Sequence, residues 1–191
     1  AGGGVTLNAG AGNIVNNIGS GMQIDTSGAS GSISLAGANI GVASAGRIGV
    51  NPGTGTVSAT ASSGGIYLEQ TAGNLLTSKY TLSVAGAGQN ISLATTSGAI
   101  SVDTIGGFNA STNDDIFSFT TAGTAQDISF ANGISLTAAG LNLAGTGNAT
   151  FNTGTVTLNT AVTATMPVNI GGATVNFNGA TVSSLGTLNL S

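Results

Sequence analysis

The only place in this 191-residue chain where groups fit for chemistry crowd together is Asn113-Asp114-Asp115, two adjacent carboxylates beside an amide. Such a pair suits either acid/base cleavage of a glycosidic bond or oxygen ligation of a hard cation such as Ca²⁺. Acid/base work needs neighbours that separate the two pKa values, and no Lys, Arg or His is nearby in sequence. Adjacent residues on a strand would also face opposite sides. A calcium-binding solenoid would carry Gly-Asp nonapeptides, and the chain has none. The stretch therefore reads as a solvated turn. Asn113, Asp114 and Asp115 are the candidate ligands should a cation bind, and no catalytic residue, cofactor or metal is expected.

The other ionisable groups are dispersed. Asp25, Glu69, Asp103 and Asp127 stand singly and are expected in water. Arg47 and Lys79, the only two basic residues, are expected to form at most surface ion pairs, which contribute little. Tyr67 falls at an outward position where it could stack on a glycan, but one ring does not make a site. A net charge of −4 excludes binding to a phosphate backbone, which needs several basic contacts, and disfavours anionic membranes. No apolar run approaches the roughly 18 residues of a membrane-spanning helix. The apolar segments are too short, and the aromatics too few, for a membrane barrel. Cysteine is absent, as in many large exported fibres.

The elements that must position these groups are short and regular. From Ile128 to Leu190 an apolar–polar–apolar unit recurs: Ile128-Ser129-Phe130, Leu141-Asn142-Leu143, Ala149-Thr150-Phe151, Val162-Thr163-Ala164, Val168-Asn169-Ile170 and Leu188-Asn189-Leu190 among them. Every third unit falls in one rank, with a period near 20 residues: 128, 149, 168, 188; then 134, 156, 175; then 141, 162, 182. Strand periodicity sends the outer residues of each unit inward and the middle one out. Three such strands per turn, joined by Gly, Thr and Asn corners, predict an all-β chain: a parallel β-helix with three faces. One coil alone cannot fold. Its roughly six inward side chains, at about 1.5–3 kcal/mol each, do not offset a backbone entropy cost of about 1–2 kcal/mol for each of roughly 20 residues.

Earlier in the chain the same ranks recur at about 25 residues per turn, through Ile33-Ser34-Leu35, Ile40-Gly41-Val42, Ile48-Gly49-Val50, Val57-Ser58-Ala59, Ile66-Tyr67-Leu68, Leu82-Ser83-Val84, Ile91-Ser92-Leu93 and Ile100-Ser101-Val102. The extra residues are expected in corners such as Asn51-Pro52-Gly53-Thr54-Gly55 and Ser62-Ser63-Gly64-Gly65. One domain, 1–191, is expected: wider coils over 1–104, a loop or transition over 105–127, and narrower coils of about 20 residues over 128–191. With 4% charged residues and 33 glycines, the exterior must be wetted by Ser, Thr and Asn. No segment holds helical spacing over several turns.

Residues 31–105 carry a resemblance. Ile33, Leu35, Ala38, Ile40 and Gly41, followed by Val57, Ala59, Ala61, Ile66, Tyr67 and Leu68, are similar to the repeats of filamentous-haemagglutinin-like large exoproteins, the adhesins of two-partner secretion. The remainder matches only as a generic β-helix. The resemblance implies a right-handed parallel β-helix, an interior segment of an extracellular or cell-surface protein exported through an outer-membrane transporter. It implies a role in adhesion, biofilm or contact-dependent interaction, against a glycan or protein of a host or neighbouring cell. The functional expectation is a non-catalytic, structural or adhesive shaft whose partners are further coils of the same protein. The alternative is a subunit stacking end to end with copies of itself in an extracellular filament. A polysaccharide-active β-helix and an ice-binding one rank below these, because the ice-binding case needs a continuous Thr array on one face and the Thr residues fall on different faces.

Overall fold

The computed structural model describes residues 3–19, 21–28, 30–109, 115–131, 133–151, 155–170, 174–177, 181–184 and 188–190. The chain winds repeatedly past the same walls, and every strand pairs in parallel with strands one winding away. It begins with β1 (Val5–Asn8) and β2 (Ile24–Asp25), then β3 (Ile33–Gly37) and β4 (Ile48–Asn51). Next come β5 (Val57–Ala61), β6 (Ile66–Gln70) and β7 (Leu75–Leu76), then β8 (Tyr80–Val84), β9 (Asn90–Thr95) and β10 (Ile100–Val102). They are followed by β11 (Phe108–Asn109), β12 (Ile116–Thr121) and β13 (Ile128–Phe130), then β14 (Ser135–Leu136), β15 (Gly140–Ala144) and β16 (Ala149–Phe151). The series closes with β17 (Thr155–Leu158), β18 (Ala161–Ala164), β19 (Val168–Ile170), β20 (Thr174–Phe177), β21 (Val182–Ser184) and β22 (Leu188–Leu190).

Four ladders result, and they form three walls. The first wall is β1-β3-β5-β8-β11, and its place in the winding order is taken further on by β14-β17-β20. The second wall is the eight-stranded ladder β2-β4-β6-β9-β12-β15-β18-β21, and the third is β7-β10-β13-β16-β19-β22. Coils lie about 24 residues apart. This is a β-solenoid.

The interior follows from strand alternation. On β3 the odd positions Ile33 and Leu35 are buried, while Ser34 and Ala36 between them are half-buried. Stacking in register turns these positions into columns: Ile66, Ile91, Phe117, Leu141 and Val162 on the second wall, and Leu75, Ile100, Ile128, Ala149 and Val168 on the third. The pairings Ile128↔Ala149↔Val168↔Leu188, Val156↔Val175 and Leu141↔Val162↔Val182 reproduce the ranks expected from sequence. Five phenylalanines meet where the windings narrow. Phe130 stacks on Phe151 with ring centroids 4.4 Å apart, Phe119 meets Phe130 edge-on at 6.1 Å, and Phe108 touches both Phe117 and Phe119.

Two expectations are corrected. First, the described part of 105–127 does not leave the solenoid: β11 pairs with β8, and β12 is built into the second wall between β9 and β15. Second, Ile40-Gly41-Val42 and Ile48-Gly49-Val50 are not units of two different walls. Ile40 bridges Ile14 and Ile66, while Ile48 pairs with Leu68, so both isoleucines belong to the second wall. Residues 41–47 are an excursion thrown outward between them. Gly41 starts it with φ +66°, where a Cβ would sit 2.5 Å from the Tyr67 carbonyl oxygen. Val42 is left 51% exposed, and a 3₁₀ turn at Ser44–Gly46 closes the excursion. The winding before repeats the device: Ile14 and Ile24 align with Ile40 and Val50, and Val15, Ile18 and Met22 between them are exposed. Asn16 ties the two excursions together, donating from Nδ2 to the Arg47 carbonyl at 2.7 Å.

Burial of the columns sets the stability. Phe130→Ala should cost about 3–5 kcal/mol in denaturant unfolding. Val168→Asp, at a fully buried position, should cost about 3–5 kcal/mol. Asn169→Asp beside it should stay within about 0.5 kcal/mol, because its Oδ1 still accepts from Asn189. Equal losses at 168 and 169 would overturn the inward and outward assignment.

Candidate functional site

Of the three residues singled out in sequence, Asn113 and Asp114 lie outside the described residues. Asp115 is described, and it corrects the reading of a solvated turn. It is fully buried at the foot of β12. Its Oδ1 accepts the backbone N–H of Gln89 at 2.7 Å, and its own carbonyl accepts from Ala139 N at 2.8 Å. Asp115 thus joins three successive windings. Among the described residues, no three His, Cys, Asp or Glu side chains gather as a metal site.

The dispersed carboxylates do the same work at other corners. Asp103 accepts from Ser78 N at 2.8 Å, Ser78 Oγ at 2.6 Å and Thr77 Oγ1 at 2.9 Å, one winding back. Burial pushes its pKa up, but the hydrogen bonds from Ser78 and Thr77 outweigh this and hold it below the usual carboxylate value. Asp127 accepts from Asn148 N at 2.7 Å, one winding forward. Asp25 accepts from Ser27 N at 2.8 Å within its own turn, and the Ser27 hydrogen bonds lower its pKa. A parallel solenoid leaves backbone N–H groups unpaired at corners, and these acids satisfy them.

A rank of buried polar side chains escaped the sequence reading, which sent Thr outward. Gln70, Thr95 and Thr121 are in register at the last inward position of β6, β9 and β12. Thr95 donates to Gly98 O at 2.5 Å and Thr121 to Gln126 O at 3.0 Å. Gln70 donates to Asn74 O at 2.6 Å and accepts from the buried Tyr80 hydroxyl at 2.8 Å. They occupy inward strand positions and satisfy the carbonyls of the following turns. A polar residue at the last inward position before a Gly-rich turn was the available signal.

The two cations also depart from expectation. Lys79 donates to Gly53 O at 2.7 Å rather than to a carboxylate. Arg47, at the end of the 41–47 excursion, reaches across the second wall. Its Nη1 donates to Leu68 O at 3.3 Å and Ser92 O at 3.2 Å, and its Nη2 to Ser92 Oγ at 2.9 Å. The arm therefore joins three windings. Burial pushes its pKa down, opposed by the nearby Glu69 and Tyr67, but an arginine stays charged in water at neutral pH. Tyr67 stays at its outward position, half-buried, with its hydroxyl accepting from Asn90 Nδ2 at 3.1 Å.

Beside that arm lies a groove of about 260 Å³, lined by Ser44, Ala45, Arg47, Glu69, Ala94 and Thr120 among others. Glu69, Ala94 and Thr120 form one outward column on β6, β9 and β12. The excursion supplies the other bank. Ser92 and Ala94 are outward by register yet only 3% exposed, in keeping with the arm and excursion lying over β9. The signal that could have found the groove was spacing. Ile40 and Ile48 are eight positions apart, whereas their wall partners Ile66 and Leu68 are two apart. Chemically the groove offers hydrogen-bond donors and acceptors, with no Cys, His or Lys among its lining residues.

No family model, curated protein or solved structure matches the chain.

Two measurements probe these assignments. Arg47→Met, which keeps the apolar stem, should lower unfolding stability by about 1.5–3 kcal/mol. Arg47→Lys should recover only part of it, because one ammonium lacks the fork that spans Leu68 and Ser92. For pH, the folded pKa of Asp103 lies below its ordinary 3.8. Its stabilisation is therefore present above about pH 4 and lost as pH falls through the folded value. Thermal midpoints should drop on acidification below about pH 4, and Asp103→Asn should flatten part of that drop while lowering the midpoint at neutral pH. An unchanged acid profile in the variant would place the acid sensitivity elsewhere.

Proposed function

We propose that this chain is a structural, adhesive shaft: a segment of a large exported bacterial surface protein resembling the filamentous-haemagglutinin-like exoproteins. The observation that carries the reading is the eight-stranded ladder of the second wall. Eight parallel strands stack over a continuous apolar core, and the acids at the corners tie winding to winding. Such a rod resists bending because each side chain is packed above and below by its neighbours. The sparse charge, outward Ser, Thr and Asn, and lack of cysteine suit an exported rod. Its role on this reading is mechanical, holding some other recognition region away from the cell. Among the described residues, no helix is long and apolar enough to cross a membrane.

A second reading is a self-stacking filament subunit. One observation favours it: Leu7, Val15, Ile18 and Met22 are exposed on the first described windings. The taper weighs against it. The first described register step, Val5 to Ile33, spans 28 residues, while the last on the third wall, Val168 to Leu188, spans 20. Head-to-tail stacking would set a wide winding against a narrow one.

Negative-stain microscopy of the purified chain separates the two. Short single rods are expected for the shaft. Long fibres of uniform width that lengthen with protein concentration would overturn it in favour of the filament.

A further inference from the structure

From the groove beside Arg47 we infer a binding site for one neutral hexose unit of a glycan. The site goes beyond the shaft reading and does not depend on it.

The first argument is unfilled hydrogen-bonding capacity. A guanidinium has five N–H donors, and Arg47 commits three of them, to Leu68 O, Ser92 O and Ser92 Oγ. The Glu69 carboxylate and the Thr120 hydroxyl line the same groove and, among the described residues, have no side-chain hydrogen-bond partner. The groove thus presents strong acceptors, strong donors and a hydroxyl at one place on an otherwise nearly uncharged rod.

The second argument is the character of the lining. Ala45, Ala94 and Ala122 contribute methyl groups between the polar ones. A hexose ring matches this mixture: its C–H face packs on methyls, while its hydroxyls donate to a carboxylate and accept from a guanidinium. A purely apolar ligand would strip water from Glu69 and Arg47 without replacing it. An anionic ligand meets Glu69 on a chain of net charge −4, and a cationic one meets Arg47.

The third argument is size. At about 260 Å³ the groove falls just below the span of about 300–1,000 Å³ typical for drug-sized ligands. The three strands that carry Glu69, Ala94 and Thr120 cover roughly 10 Å at a strand spacing of about 4.8 Å. One sugar ring fits; a stretch of folded protein does not.

The test is an NMR titration of the isotopically labelled full chain with methyl glycosides of glucose, galactose, mannose and N-acetylglucosamine. At least one should give saturable shifts confined to residues 44–47, 69, 92–95 and 120–122. Ala94→Leu, which fills the groove, and Glu69→Ala should each weaken binding by about tenfold or more, while Asn142→Ala, outside the groove, should leave it unchanged. If Ala94→Leu fails to fold, Thr120→Leu blocks the groove from a half-buried position. The inference is overturned if none of the four glycosides saturates, if shifts map elsewhere, or if neither substitution weakens binding. It is also overturned if a sialylated or sulfated glycan, or a polar peptide, binds in place of the neutral sugars. Short rods with an empty groove would end this inference and leave the shaft standing; sugar binding by a chain that forms long fibres would do the reverse.

Discussion

The rest of the structure depends on the parallel backbone ladder between successive windings. Among the described residues no strand has a hairpin partner, so each short strand finds its ladder hydrogen bonds one winding away. Strands of two to six residues could not persist singly. They persist because the ladder locks register, and register stacks like positions into columns. Once Ile128, Ala149 and Val168 lie over one another, burial of each helps to bury the next. Local sequence, pairing and packing are therefore one cooperative event rather than three contributions to be summed.

Corners are where such a ladder fails, and several of the described charged residues lie there. Asp103, Asp115 and Asp127 each take a backbone N–H from a neighbouring winding, while Gln70, Thr95 and Thr121 reach inward to turn carbonyls. Arg47 does the equivalent on the outside of the second wall. An acid that looks in sequence like a candidate for chemistry thus serves as a bracket between coils. This explains how a chain with 4% charged residues can use several of them structurally. It also sets apart the groove beside Arg47, where a guanidinium and the Glu69 carboxylate line one outer face together.

The ranks of apolar triplets were legible because period two within a strand and a period near 20 between windings are both written in residue order. Phe117-Ser118-Phe119 carried the same signal, yet the neighbouring acids disguised it as part of a loop; in the structure it lies in β12 with both rings buried. Asp115 was misread for a related reason. A carboxylate belongs in water unless something satisfies it, and the Gln89 amide that does so lies 26 residues away. The excursion at 41–47 was misread because Ile40 and Ile48 each head a plausible triplet. Nothing local says that both align on one wall.

By itself, the sequence determined the class of fold and the inward face of most strands, since alternation and repeat length act between near neighbours or at a fixed interval. It also determined that the exterior would be polar but almost uncharged. Only the tertiary structure decided which corner each acid would brace, where a wall would be interrupted, and that Arg47 and Glu69 would share a groove with Ala94. Those outcomes rest on contacts between residues some 20 to 45 positions apart. Their geometry does not exist until the windings have stacked.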